Sequence, residues 1–266
     1  MQGRSVVVVG ASAGIGRAFA RKAAERGARV LAMARRKDRL LELQSEAPND
    51  GAGLFTVAAD ISTEEGRHQL AAAAESDLGP VDLVLYAAGN GELGMFAELN
   101  ADEWLPALET NVIGVQQAFK VLLPMMSEGG ILAALSSEAV QQPRSGLGVY
   151  AASKAALQKS LEIWRIEQPG LRFCCVPIGT TVPTEFGSSY DVEKITALMT
   201  DWTARGLTQA DFMSTDDLVT FLADTFNSAL GFPGISIDEI VLRSPSAVVT
   251  SMDGLFQEME RKQAAD

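Results

Sequence analysis

Val6 to Val9 is a continuous β-branched run, and it meets a glycine turn with no spacer: Gly10-Ala11-Ser12-Ala13-Gly14-Ile15-Gly16. Such a run reads as a strand buried on both faces, the kind found in a parallel sheet covered by helices. Gly14 to Arg26 then carries Ile15, Ala18, Phe19 and Lys22-Ala23 at helical spacing and closes on Gly27. A strand that turns on glycines directly into a helix commits the chain to a crossover connection. The glycines allow a tight turn and let backbone N–H groups approach a pyrophosphate at the helix N-terminus. Their spacing is G-x-x-x-G-x-G rather than G-x-G-x-x-G. Alone, such glycines serve structure equally well; in the strand–turn–helix setting they point to a dinucleotide held by Gly10, Ser12, Gly14, Ile15 and Gly16.

The rest of the chain repeats the alternation. Strands are predicted at Arg29–Ala34, Leu54–Ala58, Leu83–Ala87, Ile131–Leu135, Leu171–Val176 and Ile237–Leu242, with helical stretches between them. Ser62 with Glu65, and Asn100 with Glu103, have the spacing of an N-cap with a reciprocal acid. Ser214 with Asp217 resembles the same arrangement. The pattern implies right-handed crossovers and one α/β domain over residues 1–266, a doubly wound parallel sheet with helices on both faces. Residues 179–210 break it: Thr, Pro, Gly, Ser and aromatics surround a short helical piece, Val192 to Met199. A long irregular insertion in such a domain is commonly a lid over a site, although a passive surface excursion would read alike.

Composition restricts the partners. Of 266 residues, 47% are apolar and 21% charged, enough for a sizeable core, and the formal net charge of -12 repels phosphate backbones and anionic lipid. Neither nucleic acid nor a membrane is expected as a partner, and positive charge for a phosphorylated ligand has to be local. Cys174 and Cys175 are adjacent on a predicted strand and point to opposite faces, so a bridge between them is disfavoured and a reducing compartment follows. The apolar run before Gly10 is too short for a signal-peptide core, and no stretch reaches transmembrane length. A cytoplasmic protein is expected.

The end of the second predicted strand bears on which cofactor is bound. An NAD site usually has a carboxylate there for the ribose 2′-hydroxyl; this chain has Ala34, Arg35 and Arg36. Guanidinium groups bind a 2′-phosphate with charge-assisted hydrogen bonds, which favours NADP(H) over NAD(H). Arg36 could equally lie on a solvated helix start. Asp60, with Ile61 beside it, is placed to accept from the adenine amino group, and an ordinary turn acid would look the same.

Tyr150-Ala151-Ala152-Ser153-Lys154 sets a phenol and an ammonium at i and i+4, on one helix face. A phenol with its ordinary pKa near 10 is a poor base; a nearby ammonium favours the phenolate. Hydride transfer at a carbonyl needs a proton donor or acceptor on the oxygen, which Tyr150 can supply. Ser137, at the end of the fifth predicted strand, stands where open parallel sheets meet their ligands. Asn111 falls inside a long predicted helix, Ala101 to Met126, where an amide is mildly unfavourable and often merely exposed.

Taken together, Gly10/Gly14/Gly16, Asp60, Ala88-Gly89, Asn111, Ser137, Tyr150 and Lys154 resemble the short-chain dehydrogenase/reductase family in order and spacing, from Ser5 to about Thr184. The resemblance implies a Rossmann-type, mainly seven-stranded parallel sheet and a homo-tetramer or homo-dimer built through the helices around Asn111 and Tyr150. It implies Tyr150 as general acid/base and Ser137 as hydrogen-bond partner of the substrate oxygen. Lys154 then binds the nicotinamide ribose and lowers the tyrosine pKa, and Asn111 supports a water in a proton relay. The substrate is expected to be a small carbonyl or alcohol. Departures are visible. The family's Asn-Asn-Ala-Gly is Tyr86-Ala87-Ala88-Gly89, and position 9 is Val where Thr is usual. The Pro-Gly turn becomes Pro177-Ile178-Gly179-Thr180-Thr181-Val182-Pro183-Thr184, two residues longer, with Thr184 the candidate for the carboxamide contact. Glu239-Ile240-Val241-Leu242-Arg243 looks more like the NADP-dependent 3-hydroxy acid dehydrogenase branch.

Other readings are weaker. His68, the only histidine, belongs to a polar helix and reads as a surface residue. No Cys/His/Asp cluster has metal-ligand spacing, so no metal is expected, and there is no G-x-S-x-G elbow for a hydrolase. Glu138, Gln141 and Gln142 are expected to edge the substrate cavity; Met95 and Phe96 either do likewise or pack in the core. Glu258 to Asp266 reads as a solvated terminal helix. Against an NADP(H)-dependent oxidoreductase stands one alternative from another class, a regulator that senses NADP(H) without turnover.

Overall fold

The computed structural model describes residues 1–48, 53–184 and 190–263, with side chains to residue 257. The apolar runs become six parallel strands: β1 (Ser5–Val9), β2 (Arg29–Ala34), β3 (Leu54–Ala58), β4 (Val81–Tyr86), β5 (Met126–Ser137) and β6 (Arg172–Ile178), in the order β3-β2-β1-β4-β5-β6. β1 is covered on both faces, Val6, Val7 and Val8 being fully buried. Val6 and Val8 face a layer that holds Phe19 of α1 (Gly14–Glu25) and Phe226 of α8 (Thr215–Leu230), whose rings meet edge-on at 6.3 Å. Val7 and Val9 face the other layer, where Phe119 of α5 (Gly114–Leu122) and Trp164 of α6 (Gly148–Glu167) pack on Phe173. The strand-to-helix alternation therefore builds the doubly wound sheet that the sequence predicts.

The same alternation separates the cysteines: Cys174 belongs to the first layer and Cys175 to the second, both as free thiols. From β1 the chain winds through α1, β2, α2 (Lys37–Glu46) and β3, then returns through α3 (Glu64–Ala73) to β4 on the other side of β1. This order is that of a Rossmann fold, and ligands of such sheets bind at the carboxyl ends where the winding reverses, between β1 and β4. Backbone bonds hold that point: Gly10 and Ala11 donate to Met33 O, and Ala87 and Ala88 donate to Val9 O.

Three expectations need correction. Among the described residues the regular sheet has six strands, not seven. Ile237–Leu242 does run parallel to β6: Cys175 donates to Asp238 O, Ile240 to Cys175 O, Leu242 to Pro177 O and Gly179 to Leu242 O. The next ladder bond would need an N–H from residue 177, and proline has none, so only isolated bridges form there. The cap of α3 is Thr63 rather than Ser62: Thr63 Oγ1 accepts from Gly66 N at 3.0 Å, while Ser62 bonds back to Asp60. The cap acids at Asn100 and Ser214 are as expected, with Asn100 N donating to Glu103 and Asp217 N to Ser214.

The helix around Asn111 is not one uniform helix either. It consists of α4 (Ala101–Leu108), a π-helical turn Glu109–Ile113, and α5. The insertion after β6 forms a short strand β7 (Thr181–Val182), α7 (Val192–Ala204) and β8 (Thr208–Gln209), while residues 185–189 lie outside the described residues. β7 pairs in parallel with β9 (Met213–Ser214), and β8 with β10 (Val248–Val249) in antiparallel fashion. The backbone of the predicted terminal helix is present as α9 (Met252–Gln263); its last residues, 264–266, are likewise outside the description.

Candidate active site

The crevice between β1 and β4 is narrow enough to demand glycine. Gly10 has φ of 90°, and a Cβ there would stand 2.4 Å from Ala88 N. A Cβ on Gly16 would stand 2.3 Å from Gly10 O. Both positions are thus set by close packing between α1, the turn and the Ala87-Ala88 wall. Gly14 opens α1 at φ of 54°, and Ala13, the N-cap, offers no side chain to the first amides of the helix. Ile15 packs against the first core layer, so within the turn it is Ser12 that offers a polar side chain.

Ser12 Oγ accepts from Arg36 Nε at 3.2 Å and Nη2 at 3.0 Å. Arg36 is exposed, but it is turned onto the glycine turn rather than simply solvated. Arg35 is exposed too and acts on Asp60. Burial works against the charge of Asp60, yet the Ser62 hydrogen bonds and Arg35 together hold its carboxyl below the usual range. Ile61, next to it, is buried. The turn, both arginines and Asp60 therefore form one rim.

Across the crevice, α6 places Tyr150 and Lys154 on successive turns. Lys154, 3% exposed, donates to Leu135 O at 2.8 Å and lies 5.8 Å from the centre of the Tyr150 ring. Burial pushes its ammonium down to about 8, with Cys175 acting in the other direction. Ser137 ends β5; its Oγ accepts from Ala139 N at 3.1 Å and shares a hydrogen bond with the Tyr150 phenol. Burial pushes that phenol up to about 12, the Ser137 bond pulling back. Among the protein's own groups the phenol is thus raised rather than lowered, because taking a phenolate out of water outweighs the Ser137 hydrogen bond.

Asn111 is fully buried, not exposed. The π turn carries it inward, where Oδ1 accepts from Asn90 N at 2.9 Å and Nδ2 donates to Asn90 O at 2.6 Å and Ser153 Oγ at 2.8 Å. Ser153 Oγ donates in turn to Tyr150 O. One amide thereby ties the loop after β4 to the turn of α6 that carries the tyrosine. π turns of this kind often mark functional positions.

The structure adds residues that no spacing flagged. A Cβ on Gly91 would come within 2.8 Å of Tyr150 Cδ2, so this loop lies directly on the phenol ring. Tyr190 donates its hydroxyl to Gly91 O at 2.7 Å, and its own phenol is pushed up by burial, then by Tyr150 and Glu92. In the sequence Tyr190 is simply an aromatic in an irregular insertion, with no partner at a recognisable interval. Glu138 is a correction: rather than edging a cavity it is buried, and it pairs with Arg144. Gln141 is exposed and bonds Gln158. Met95 and Phe96 are 48% and 59% exposed, which rules out core packing; Phe96 meets Trp104 edge-on. Thr184 is partly exposed, just beyond Pro183, whose carbonyl accepts from Thr215. His68 is exposed on α3.

Comparison with known proteins agrees with this geometry. The profile of the short chain dehydrogenase family matches residues 4–190. A glycine betaine reductase of Emericella nidulans is 36% identical over 199 residues, 73% of this chain but 16% of the relative. A short chain dehydrogenase of Pseudocercospora fijiensis is 33% identical over 198 residues, covering 72% of this chain and 63% of its own length. The matched part thus spans less than two thirds of either relative. Among solved structures, the alcohol dehydrogenase of the archaeon Thermococcus sibiricus, complexed with 5-hydroxy-NADP, superposes with a TM-score of 0.77 at 24% identity, over 92% of this chain and 97% of that one. The L-sorbose reductase of Gluconobacter frateurii, complexed with NADPH and L-sorbose, gives 0.76 at 24% identity, over 94% and 97%. A Rossmann-type sheet, a glycine turn at its switch point and a family profile that spans both the turn and the tyrosine helix lead to one conclusion: this chain belongs to the short chain dehydrogenase family of oxidoreductases.

Proposed function

We propose that this protein interconverts a carbonyl and a secondary alcohol with NADP(H). The observation that carries the reading is the convergence of Ser137, Tyr150 and Lys154 at the carboxyl end of β5, with the phenol hydrogen-bonded to Ser137. The rim fits a phosphorylated dinucleotide. The first amides of α1 have no side-chain cap, and Arg36 reaches the same turn through Ser12. Gly10, Ser12, Gly14, Ile15 and Gly16 would line the pyrophosphate, and Arg35 and Arg36 the 2′-phosphate. Asp60 and Ile61 would flank the adenine, Ala88 and Gly89 the inner ribose, and Thr184 the carboxamide. That NADP-type ligands occupy the two solved structures named above supports the phosphate-bearing form over NAD(H).

When bound, the nicotinamide supplies or takes up the hydride. The chain's own groups manage the proton. Tyr150 gives its phenolic proton to the substrate oxygen in reduction and takes it back in oxidation. Ser137 holds that oxygen against the phenol. Lys154, already fixed by Leu135 O, binds the ribose and adds positive charge beside the phenol, which with the oxidised nicotinamide offsets the effect of burial. Asn111 positions the Asn90 loop and the Tyr150 turn, and supports the water through which the proton leaves.

The protein acts as one domain over residues 1–266, in the cytoplasm. It forms homo-dimers or homo-tetramers through α4–α5 and α6, whose Leu105, Ile113, Ile163 and Ile166 are exposed apolar side chains. Initial rates of NADPH oxidation over a panel of ketones and aldehydes, and of NADP⁺ reduction over alcohols, test the reading. Turnover of at least one pair is expected. Tight NADPH binding with no turnover at all would instead support a sensing protein.

A further inference from the structure

Glu138 and Arg144 form an ion pair whose side chains are 8% and 11% exposed, directly after Ser137. Buried pairs add little net stability, because desolvation cancels most of their attraction, so their retention asks for another reason. Here Arg144 Nε is also buried and without a hydrogen-bond partner among the described residues, which is poor construction for a purely stabilising pair. Each end of the pair reaches a different part of the site. Glu138 heads the turn whose first amide, Ala139 N, bonds Ser137 Oγ, and its Oε2 lies so close to Gly179 that a Cβ there would be 2.8 Å away.

Arg144 Nη2 donates to Leu207 O at 3.0 Å, just past α7, and the guanidinium lies over the Trp202 ring at 5.9 Å. The next residues of the same loop continue the contact. Ser145 Oγ donates to Asp201 Oδ2 at 2.5 Å, and Trp202 Nε1 donates to Ser145 O at 2.8 Å. Gly146 lies against Leu198, a Cβ there falling 2.5 Å from Leu198 Cδ1. Leu198, Asp201 and Trp202 are all on α7, while the loop itself runs on into α6.

We infer that the Glu138–Arg144 pair is a positioning device that registers α7 against Ser137, so that Tyr190, just before the N-cap of α7 and bonded to Gly91 over the Tyr150 ring, is set together with the residue meeting the substrate oxygen. The inference rests on the oxidoreductase reading above. Neither residue needs to touch the substrate: the pair acts through the Ser137 turn on one side and Trp202 on the other.

Replacing one partner leaves a buried charge alone and could unfold the chain, so the test uses Glu138→Gln combined with Arg144→Met, which removes both charges. Four quantities are measured on the full chain: the melting temperature, backbone hydrogen exchange across α7, and kcat and KM for whichever carbonyl the parent reduces, with NADPH affinity as a control. The account expects melting close to the parent, α7 amides exchanging about tenfold faster, and KM raised about tenfold with NADPH affinity unchanged. A double variant that matches the parent in both α7 exchange and KM overturns the proposal. So does one whose α7 protection falls only in step with the rest of the molecule, since that is a structural role. If the parent reduces no carbonyl, the functional reading falls, and the exchange of α7 alone decides this inference.

Discussion

Arg172, at the start of β6, and Lys154, beside the carboxyl end of β5, are both cations taken out of water, 7% and 3% exposed. Their surroundings differ. Arg172 is enclosed by carbonyls: Gly129 O, Ala229 O at 2.7 Å, Phe232 O and Ile235 O all accept from it, joining β5, the end of α8 and the loop beyond. Lys154, with three protons to donate, has a single hydrogen bond among the described residues, to Leu135 O. At the amino end of the sheet the charge is satisfied and holds elements together. At the carboxyl end it keeps donors to spare beside a phenol, as the proposed ribose-binding role of Lys154 requires.

Replacements of the two cations break this comparison most directly. Lys154→Met should reduce kcat on the order of 100-fold, since the proton transfer at Tyr150 loses its support. It should not lower the melting temperature, because an apolar chain replaces a poorly solvated charge. Equal damage to stability would mean that Lys154 is structural after all. A pH arm sharpens the point. Burial lowers Lys154 from 10.5 to about 8, so the unfolded chain binds this proton over a range where the folded one has released it. The destabilisation is therefore fully present below about pH 8 and is relieved as pH rises from there towards 10.5. Parent stability measured against Lys154→Met should rise across that window, and parallel curves would contradict it.

Arg172→Met should do the opposite, costing about 3 kcal/mol by orphaning buried carbonyls while leaving kcat of the folded fraction unchanged. Denaturant titration alongside turnover checks both halves. At the rim of the crevice, Arg35→Ala and Arg36→Ala should each weaken NADPH about tenfold and leave NADH nearly unaffected, as expected for charge-assisted bonds to a phosphate. Equal losses for the two cofactors would remove the NADP(H) preference from the account. The smallest effect is expected at Thr63→Ala, which removes the α3 cap and costs about 1 kcal/mol with no change in turnover.

Much of this was legible in the sequence because it is local. The strand runs follow from β-branched periodicity, and β2 and β3 fall at the predicted residues, Arg29–Ala34 and Leu54–Ala58. The glycine turn and the i, i+4 pair Tyr150–Lys154 are each contained in a few consecutive positions. What escaped depends on groups far apart in the chain. The break in the seventh strand comes from Pro177 facing Ile240, a pairing visible only once β6 and the C-terminal segment lie side by side. Glu138 looked like a rim residue because its burial depends on Arg144 and α7. Asn111 is placed at the site only through the resemblance, its exposure left open, because a π turn that carries it inward has no signature in spacing. Tyr190 reaches Gly91 across 99 positions, and no periodicity carries that information.

The central claim is that Tyr150 moves the proton at the carboxyl end of the sheet, and one paired measurement tests it most directly. Turnover and NADPH affinity are compared in the parent and in Tyr150→Phe, which keeps the ring against Gly91 and removes only the hydroxyl. The account predicts turnover reduced by about 100-fold or more, with NADPH bound as tightly as by the parent. Turnover that survives in Tyr150→Phe with NADPH affinity intact would contradict it.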